Sequence, residues 1–138
     1  NTINRAIKMR DFWMPFAPAI LLEEAERLIK IPNSLKSSYS PYMMFTFPEK
    51  ENMSDCMIAG IHQADKTARA QLVDKVLYPE LHDILSQYYA RTGIPALLNT
   101  SFNLHGYPIV TGALDAIDVL LQSDIDALVL DNWLVLRR

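Results

Sequence analysis

The sequence contains little cysteine, no excess of positive charge and no long apolar segment. Its single cysteine, Cys56, cannot form an internal disulfide, and no second cysteine or histidine stands at metal-ligand spacing from it. We therefore expect Cys56 to be a buried, inert thiol in a reducing compartment. The net charge of −3 lacks the basic surplus that binding to a phosphate backbone requires, so nucleic acid is not an expected partner.

No apolar run approaches the length of a membrane span, and no hydrophobic signal core follows the first basic residues. The sequence therefore predicts a cytoplasmic protein without a membrane partner. With 138 residues, 50% of them hydrophobic and 21% charged, the composition is that of one packed domain, which we expect to span residues 1–138. The chain starts at Asn1 within a helical spacing and without a helix-start signal, which indicates a piece of a longer protein.

Apolar residues at helical spacing predict helices in several places. The most regular helix lies before Gly93, which is placed to end it in a left-handed conformation; its apolar positions are Leu81, Ile84, Leu85 and Tyr88. Thr111 can cap a second helix over about 112–122. Its expected buried face is Leu114, Ile117, Leu120 and Leu121. A helix end over 1–10 and a short amphipathic helix over 21–29 complete the set.

Apolar and aromatic runs predict the strands. They lie over 42–47, 56–61, 67–73, 94–98, 126–130 and 133–136. Within 67–73, Arg69 and Gln71 should project to the same side, and Asp131 and Asn132 should form the turn between the last two strands. The order of elements predicts an α/β or α+β fold, with helices packed against a sheet.

Two polar clusters lie far apart in the sequence and look like two parts of one anion site. The first is Lys8-Met9-Arg10, and the second is Asn99-Thr100-Ser101-Phe102-Asn103, directly after a buried strand. Lys supplies a point charge and Arg a planar fork of donors, while Ser and Asn side chains can hold phosphate or carboxylate oxygens at fixed angles. The alternatives are a solvated helix end for the first cluster and a satisfied strand-to-loop turn for the second.

A third polar group surrounds the predicted strand over 67–73 and consists of His62, Asp65, Thr67 and Arg69. Turn chemistry is the alternative for Asp65 and Thr67, because Asp and Thr before a strand can cap a chain reversal without further purpose. His62 and His105 lack the three or four convergent donors of a metal site, so no metal is expected within this chain. A serine triad is not expected either, because the Gly-x-Ser-x-Gly elbow is absent.

Five segments of the chain match a known family in the same order. They are Asn4-Arg5-Ala6-Ile7-Lys8-Met9-Arg10, Pro15-Phe16-Ala17-Pro18-Ala19, Ser40-Pro41-Tyr42-Met43, Thr67-Ala68-Arg69-Ala70-Gln71 and Leu98-Asn99-Thr100-Ser101-Phe102-Asn103. Together they resemble the carboxyl-terminal domain of O-carbamoyltransferases of the nodulation and antibiotic type, over nearly the whole chain. In that family the domain is similar to the YrdC-like fold of threonylcarbamoyl-adenylate synthases, which carries Lys-x-Arg and Ser-x-Asn signatures. The resemblance thus implies a YrdC-like twisted mixed sheet with flanking helices.

The resemblance also implies a two-step reaction in a two-domain enzyme. The YrdC-like domain takes up carbamoyl phosphate and ATP, with Mg²⁺, to give carbamoyl-adenylate and pyrophosphate. An amino-terminal domain, which holds the iron, then transfers the carbamoyl group to an alcohol. The implied catalytic residues are Lys8, Arg10, Ser101 and Asn103, and the implied substrate-binding residues are Arg69, Thr67, His62, Asn99 and Thr100.

We expect Lys8, Arg10, Arg69, Ser101 and Asn103 to converge on one pocket, because a shared anion would explain all five. Two positions depart from the family pattern, which usually has Arg at the position of Met14 and Gly at that of Lys66. The alternative function is therefore a non-catalytic YrdC-like regulatory or interaction module in a longer protein. Transfer RNA modification fits less well, because the motif order and the Pro-Phe-Ala-Pro segment are those of carbamoyltransferases.

Overall fold

The structure is a computed structural model that describes residues 4–9, 11, 14–35, 40–51 and 56–137. Arg10 lies outside the described residues. The chain forms two compact units. The terminal unit comprises residues 1–12 and 101–138, and the central unit comprises residues 13–100.

The described elements of the central unit include five strands and two α-helices. In chain order these are β1 (Ala17–Leu21), α1 (Ala25–Leu28), β2 (Phe47–Pro48), β3 (Thr67–Ala68), β4 (Gln71–Val73), α2 (Pro79–Thr92) and β5 (Ala96–Asn99). Short 3-10 turns cover Leu22–Glu24, Asn33–Leu35 and Ile58–Gly60.

A mixed three-stranded sheet organises the central unit, with β1 between β4 and β5. β1 runs parallel to β4 and antiparallel to β5. Ile20, Leu72 and Ala96 belong to the core on one face, while Leu21 and Val73 pack with Leu85 of α2 on the other. All five residues of β1 are buried because both faces of the sheet are covered.

The terminal unit joins the two ends of the chain. A π-helical turn, Asn4–Lys8, is followed after residue 100 by a long loop, α3 (Ala113–Gln122), β6 (Ala127–Leu130) and β7 (Trp133–Leu136). β6 and β7 form an antiparallel hairpin. Ala116 and Leu120 of α3 pack against Leu128 of β6. The amide of Asp124 donates to the carbonyl oxygen of Ala6 at 2.9 Å, which ties the first turn to the end of α3.

The strongest local signals in the sequence predict their elements correctly. The expected α/β or α+β class is confirmed. The helix before Gly93 is α2, and Gly93 ends it at φ 72° in the left-handed region that glycine adopts without strain. The strands predicted over 94–98, 126–130 and 133–136 are β5, β6 and β7.

Three predictions in the first half of the chain are wrong in extent or type. The helix expected over 21–29 is reduced to α1, because Leu21 ends β1, a strand that the periodicity did not reveal. The strand expected over 56–61 is instead a 3-10 turn at Ile58–Gly60. Of the strand expected over 42–47, only Phe47 is in a strand, and Tyr42 and Met44 are exposed.

The strand predicted over 67–73 is divided into β3 and β4. Arg69 is exposed, while Gln71 is buried. The strand assignment is interrupted at 69–70, but Ala68, Ala70 and Leu72 belong to the same core, so the predicted alternation continues across the interruption.

The helix predicted over 112–122 is present, but its cap and buried face differ from expectation. Gly112 is the N-cap, and the Asp115 carboxylate accepts from the Gly112 amide and the Thr111 hydroxyl, each at 3.1 Å. Leu114 and Leu121, expected in the core, are exposed. Ala116, Val119 and Leu120 are buried instead.

Three expectations from composition concern the cysteine, the membrane and metals. Cys56 is half-buried and packs against the core of the central unit. None of the helices in the described parts of the chain combines the length and the apolar character that crossing a bilayer needs. The described residues also contain no group of three or more His, Cys, Asp or Glu side chains placed to hold a metal ion.

Candidate anion-binding site

Lys8 is the least exposed charged residue in the described parts of the terminal unit, at 2% relative exposure. It is the last residue of the π-helical turn Asn4–Lys8. Lysine is rarely buried to this extent, because removing an ammonium group from water is unfavourable unless hydrogen-bond acceptors replace the water. The acceptors that hold Lys8 therefore identify the site.

The second polar motif supplies acceptors for Lys8. Its Nζ donates to Ser101 Oγ at 3.1 Å and to the Asn103 carbonyl oxygen at 3.1 Å. It also donates to Asn103 Oδ1. Lys8 is 93 residues from Ser101 and 95 from Asn103 in the sequence, so the fold brings together two motifs that no local interaction would join.

Asn103 connects this group to the loop that precedes α3. Its Oδ1 accepts from the Ser101 hydroxyl at 2.7 Å, and its Nδ2 donates to the Tyr107 carbonyl oxygen at 2.6 Å. The Tyr107 amide in turn donates to the Leu104 carbonyl oxygen at 3.1 Å. The side chains of Lys8, Ser101 and Asn103 form what we call the lysine cluster, which fixes the shape of the loop over 101–107.

The lysine cluster presents a polar donor in front of a buried positive charge. Ser101 is exposed, whereas the ammonium of Lys8 behind it is buried. A hydroxyl can reorient and donate to an incoming oxygen, and the ammonium favours negative charge at that position. This geometry suits a carboxylate or phosphate oxygen better than a cation.

A cavity of about 390 Å³ lies on the same loop, between residues 104–111 and α3. Leu104, Tyr107 and Val119 give it apolar walls, and Asp115 and Asp118 line it as well. Two carboxylates would repel a phosphate group, so the lining of this cavity does not suit one.

Asn99, the first residue of the second motif, lies at the end of β5 in the central unit. Its Nδ2 donates to Oε1 of the buried Gln71 at 2.8 Å. Asn99 is paired with Ala17 and Gln71 with Ala19, so the two amides lie on one face of the sheet and meet across small side chains of β1. Because β5 is antiparallel to β1, Asn99 lies at the amino end of β1.

His62, Asp65 and Thr67 meet in a tight turn of the central unit, which we call the aspartate turn. Asp65 Oδ1 accepts from the Thr67 hydroxyl at 2.8 Å and from the Thr67 amide at 3.1 Å, and it lies 3.0 Å from His62 Nδ1. The Thr67 hydroxyl and, second, His62 lower the pKa of the exposed Asp65 carboxyl. These contacts are the turn chemistry that the sequence left open as an alternative.

Comparison with known proteins identifies the family. A family model described as carbamoyltransferase C-terminus matches residues 1–137. The chain belongs to this carbamoyltransferase C-terminus family. The resemblance inferred from the motifs is therefore confirmed.

Three relatives are longer proteins of which this chain matches only a part. It is 36% identical over 138 residues to nodulation protein NolNO of Sinorhizobium fredii and to nodulation protein NolO of Bradyrhizobium diazoefficiens, matching all of this chain but 20% and 25% of those proteins. It is 42% identical over 133 residues to the uncharacterized protein MJ1051 of Methanocaldococcus jannaschii, which is 96% of this chain and 25% of that protein. The chain thus spans a fifth to a quarter of the length of these relatives.

Lys66 occupies the position where the carbamoyltransferase resemblance leads us to expect glycine. Its φ is 56°, in the left-handed region that glycine tolerates best. The Lys66 amide donates to the His62 carbonyl oxygen at 2.9 Å, and its Nζ donates to Gln63 Oε1 at 2.9 Å. The left-handed backbone conformation thus explains why glycine is expected at this position. Lys66 keeps the turn but adopts a conformation that is unfavourable for a residue with a side chain.

The remaining predicted site residues are placed as follows. Arg69 is exposed in the central unit. Thr100 and Met14 are half-buried. Arg10 belongs to the residues outside the description. The predicted convergence thus brings together Lys8, Ser101 and Asn103 in the terminal unit, and the shared pocket for all five residues stays a prediction.

One contributor to the lysine cluster carries no signal in the sequence. The Tyr107 carbonyl oxygen receives the Asn103 amide, but a backbone acceptor is present at every residue and cannot be singled out by residue type. The turn that presents it contains Gly106 at φ 81°, which is the only local indication of a sharp reversal there in the described loop.

Proposed function

We propose that this chain is the C-terminal domain of an O-carbamoyltransferase that binds carbamoyl phosphate and ATP and forms carbamoyl-adenylate. An N-terminal domain of the same polypeptide then transfers the carbamoyl group to a hydroxyl acceptor. Family membership supports a carbamoyltransferase role in general. The lysine cluster supports the finer assignment of an anion site.

The observation that carries the proposal is the contact of Lys8 Nζ with Ser101 Oγ. An anion oxygen that accepts from the Ser101 hydroxyl would lie within about 6 Å of the Lys8 charge. At that distance the attraction contributes roughly 1–3 kcal/mol, depending on how much water screens it. The same charge in a fully solvated side chain would contribute at the lower end of that range.

The proposed step brings two anionic groups together. Carbamoyl phosphate reacts with water to release inorganic phosphate and carbamate; a carbamate oxygen then attacks the α-phosphorus of ATP, and pyrophosphate leaves. Positive charge and fixed neutral donors are needed to offset the repulsion and to align attacking and leaving oxygens. Lys8 would supply charge, and Ser101 and Asn103 would supply aligned polar groups, with Arg10 and Arg69 as the other proposed cations.

The metal ions that the proposed reaction needs would be supplied from outside this chain. Mg²⁺ would arrive with ATP, and the iron would belong to the N-terminal domain. This chain's own residues would bind the substrates and orient their reacting groups.

The experiment is exchange of labelled pyrophosphate into ATP by the full-length protein, with and without carbamoyl phosphate. Formation of carbamoyl-adenylate is reversible, so the proposal predicts exchange that requires carbamoyl phosphate. Exchange needs no hydroxyl acceptor, which separates this step from the transfer. A folded full-length protein that shows no exchange, and no heat of binding with millimolar ATP or carbamoyl phosphate, would contradict the proposal.

The second candidate function is a non-catalytic module that keeps the fold and an anion pocket. Three acceptors of the protein already take hydrogen bonds from the Lys8 ammonium, which has three N–H groups to donate. That observation favours a structural role in holding the loop over 101–107. Binding of ATP without carbamoyl-phosphate-dependent exchange would support the module and refute the catalytic proposal.

A further inference from the structure

The outer face of the β6–β7 hairpin is apolar and open to solvent. Two cross-strand pairs form it, Ala127 with Leu136 and Val129 with Leu134. Val129 is 69% exposed, Leu134 64% and Leu136 63%. Paired residues of an antiparallel hairpin project to the same face, so these four side chains form one continuous surface, which we call the hairpin face.

The opposite face of the same hairpin is apolar as well. Leu128 and its partner Val135 point into the core of the terminal unit, against Ala116 and Leu120 of α3. An antiparallel hairpin with one solvated face normally alternates apolar and polar residues. Strands that are apolar on both faces are typical of sheets covered on both sides, as β1 is in the central unit.

Scattered exposed leucines are common on protein surfaces and need no explanation. The hairpin face differs because its four facing positions include no polar residue. Within the described ranges, β6 and β7 also pair only with each other. A two-stranded ribbon with one uncovered apolar face is marginal by itself and gains stability when another surface packs on it.

We propose that the hairpin face docks onto an apolar surface of the longer polypeptide to which this domain belongs. The matched segment makes up 20% and 25% of the two nodulation relatives, so most of such a polypeptide lies outside it. A covalently tethered partner acts at an effective concentration near millimolar, far above that of a second copy in dilute solution. The occupant is therefore a neighbouring domain in the same chain, with an apolar surface complementary to Val129, Leu134 and Leu136.

This inference does not depend on the adenylate-forming reaction. The hairpin face would be covered in a catalytic domain and in a non-catalytic module alike. Its test therefore measures how far a side chain is protected from chemical labelling, whereas the test of the proposed function measures the exchange of pyrophosphate into ATP.

The experiment introduces single cysteines into the natural full-length polypeptide and measures the rate of maleimide labelling at each by mass spectrometry. Val129→Cys and Leu134→Cys probe the hairpin face, and both positions are exposed within this domain, so neither substitution disturbs its core. Lys75→Cys, at an exposed position of the central unit, is the matched control. Peptide-resolved detection separates these sites from Cys56 and any other native thiol.

We expect both hairpin cysteines to react at least about tenfold more slowly than Lys75→Cys, at concentrations where the polypeptide is monomeric. Labelling of Val129→Cys and Leu134→Cys as fast as the control would overturn the proposal. Protection that appears only at concentrations where the chains self-associate would assign the face to a second copy and would also overturn it. A natural polypeptide that consists of these 138 residues alone would exclude the proposed occupant.

Discussion

The lysine cluster of the terminal unit and the aspartate turn of the central unit are both hydrogen-bonded groups of polar residues, yet they are assembled in different ways. The aspartate turn joins His62, Asp65 and Thr67, which lie within six consecutive positions at an exposed reversal. The lysine cluster joins Lys8 to residues 93 and 95 positions away, and it buries a charge.

The difference shows that a long-range polar contact that buries a charge is a better indicator of function than a local polar contact in a turn. Turn geometry alone explains the aspartate turn, because Asp and Thr side chains bond their own backbone wherever a chain reverses. Burial of an ammonium is unfavourable and has no local cause, so the lysine cluster requires either a structural or a binding role. Four substitutions test this comparison, in order of decreasing expected effect.

Asn103→Ala should have the largest effect, because Asn103 accepts from Lys8 and Ser101 and donates to Tyr107. Hydrogen bonds to charged groups contribute about 1.5–3 kcal/mol, so we expect the free energy of unfolding to fall by about 2 kcal/mol. Pyrophosphate exchange should fall by about a hundredfold. Asn132→Ala, in the exposed hairpin turn, is the control. Equal losses of stability and of exchange in the two variants would show that Asn103 behaves like an ordinary surface amide.

Ser101→Ala should lower carbamoyl-phosphate-dependent exchange by roughly tenfold, the loss of one hydrogen bond of about 1.5 kcal/mol to a charged group. The free energy of unfolding should also fall, by about 1–2 kcal/mol, because the buried Lys8 ammonium loses one of its acceptors. Ser86→Ala, which removes a hydroxyl bonded to the His82 carbonyl oxygen in α2, serves as the control. Exchange rates that stay within twofold of wild type for Ser101→Ala would exclude its hydroxyl as an anion donor.

Lys66→Gly should raise the free energy of unfolding by about 0.5–1 kcal/mol, because glycine relieves the left-handed conformation at φ 56° but loses more chain entropy on folding. Urea denaturation measures the change. Lys75 does not adopt a left-handed conformation, so Lys75→Gly should not raise the free energy of unfolding. Exchange activity should be unaffected, and a loss of exchange in Lys66→Gly would show that the Lys66 charge serves the site.

Asp65→Asn should have the smallest effect and should depend on pH. The Thr67 hydroxyl and His62 lower the pKa of Asp65, so the ionised carboxylate is favoured in the folded state. Its contribution to stability is therefore present above the pKa of the unfolded chain and is lost as the pH falls through the folded value. The stability difference between wild type and Asp65→Asn, followed by thermal unfolding from neutral to acidic pH, should shrink in acid. A stability difference that grows in acid would contradict the claim that the ionised Asp65 carboxylate stabilises the folded state.

The sequence predicts elements whose signals are local. The helix before Gly93 and the β6–β7 hairpin follow from apolar spacing and from the residues that end them. β1 was missed because Ala17–Leu21 is buried on both faces and shows neither helical nor strand periodicity. The strand expected over 56–61 failed for the related reason that a short apolar run does not distinguish a strand from a turn in the core.

The candidate site was predictable only in part. Lys8, Ser101 and Asn103 could be named because their chemistry and the family resemblance agree. The bond of Asn99 to Gln71 depends on the register of two strands on either side of β1, which the sequence does not specify. The side of the strand on which Arg69 lies follows from the alternation of Ala68, Ala70 and Leu72, but the sequence does not specify what the exposed Arg69 side chain faces.

The most direct test of the central claim compares Lys8→Met with Lys75→Met in the full-length protein. Both changes remove one lysine charge, but only Lys8 lies buried against Ser101 and Asn103. After thermal unfolding shows that both variants are folded, carbamoyl-phosphate-dependent pyrophosphate exchange is measured. We predict a loss of at least about a hundredfold for Lys8→Met and a rate within twofold of wild type for Lys75→Met. Wild-type exchange in Lys8→Met would contradict the claim that the buried charge serves an anion site.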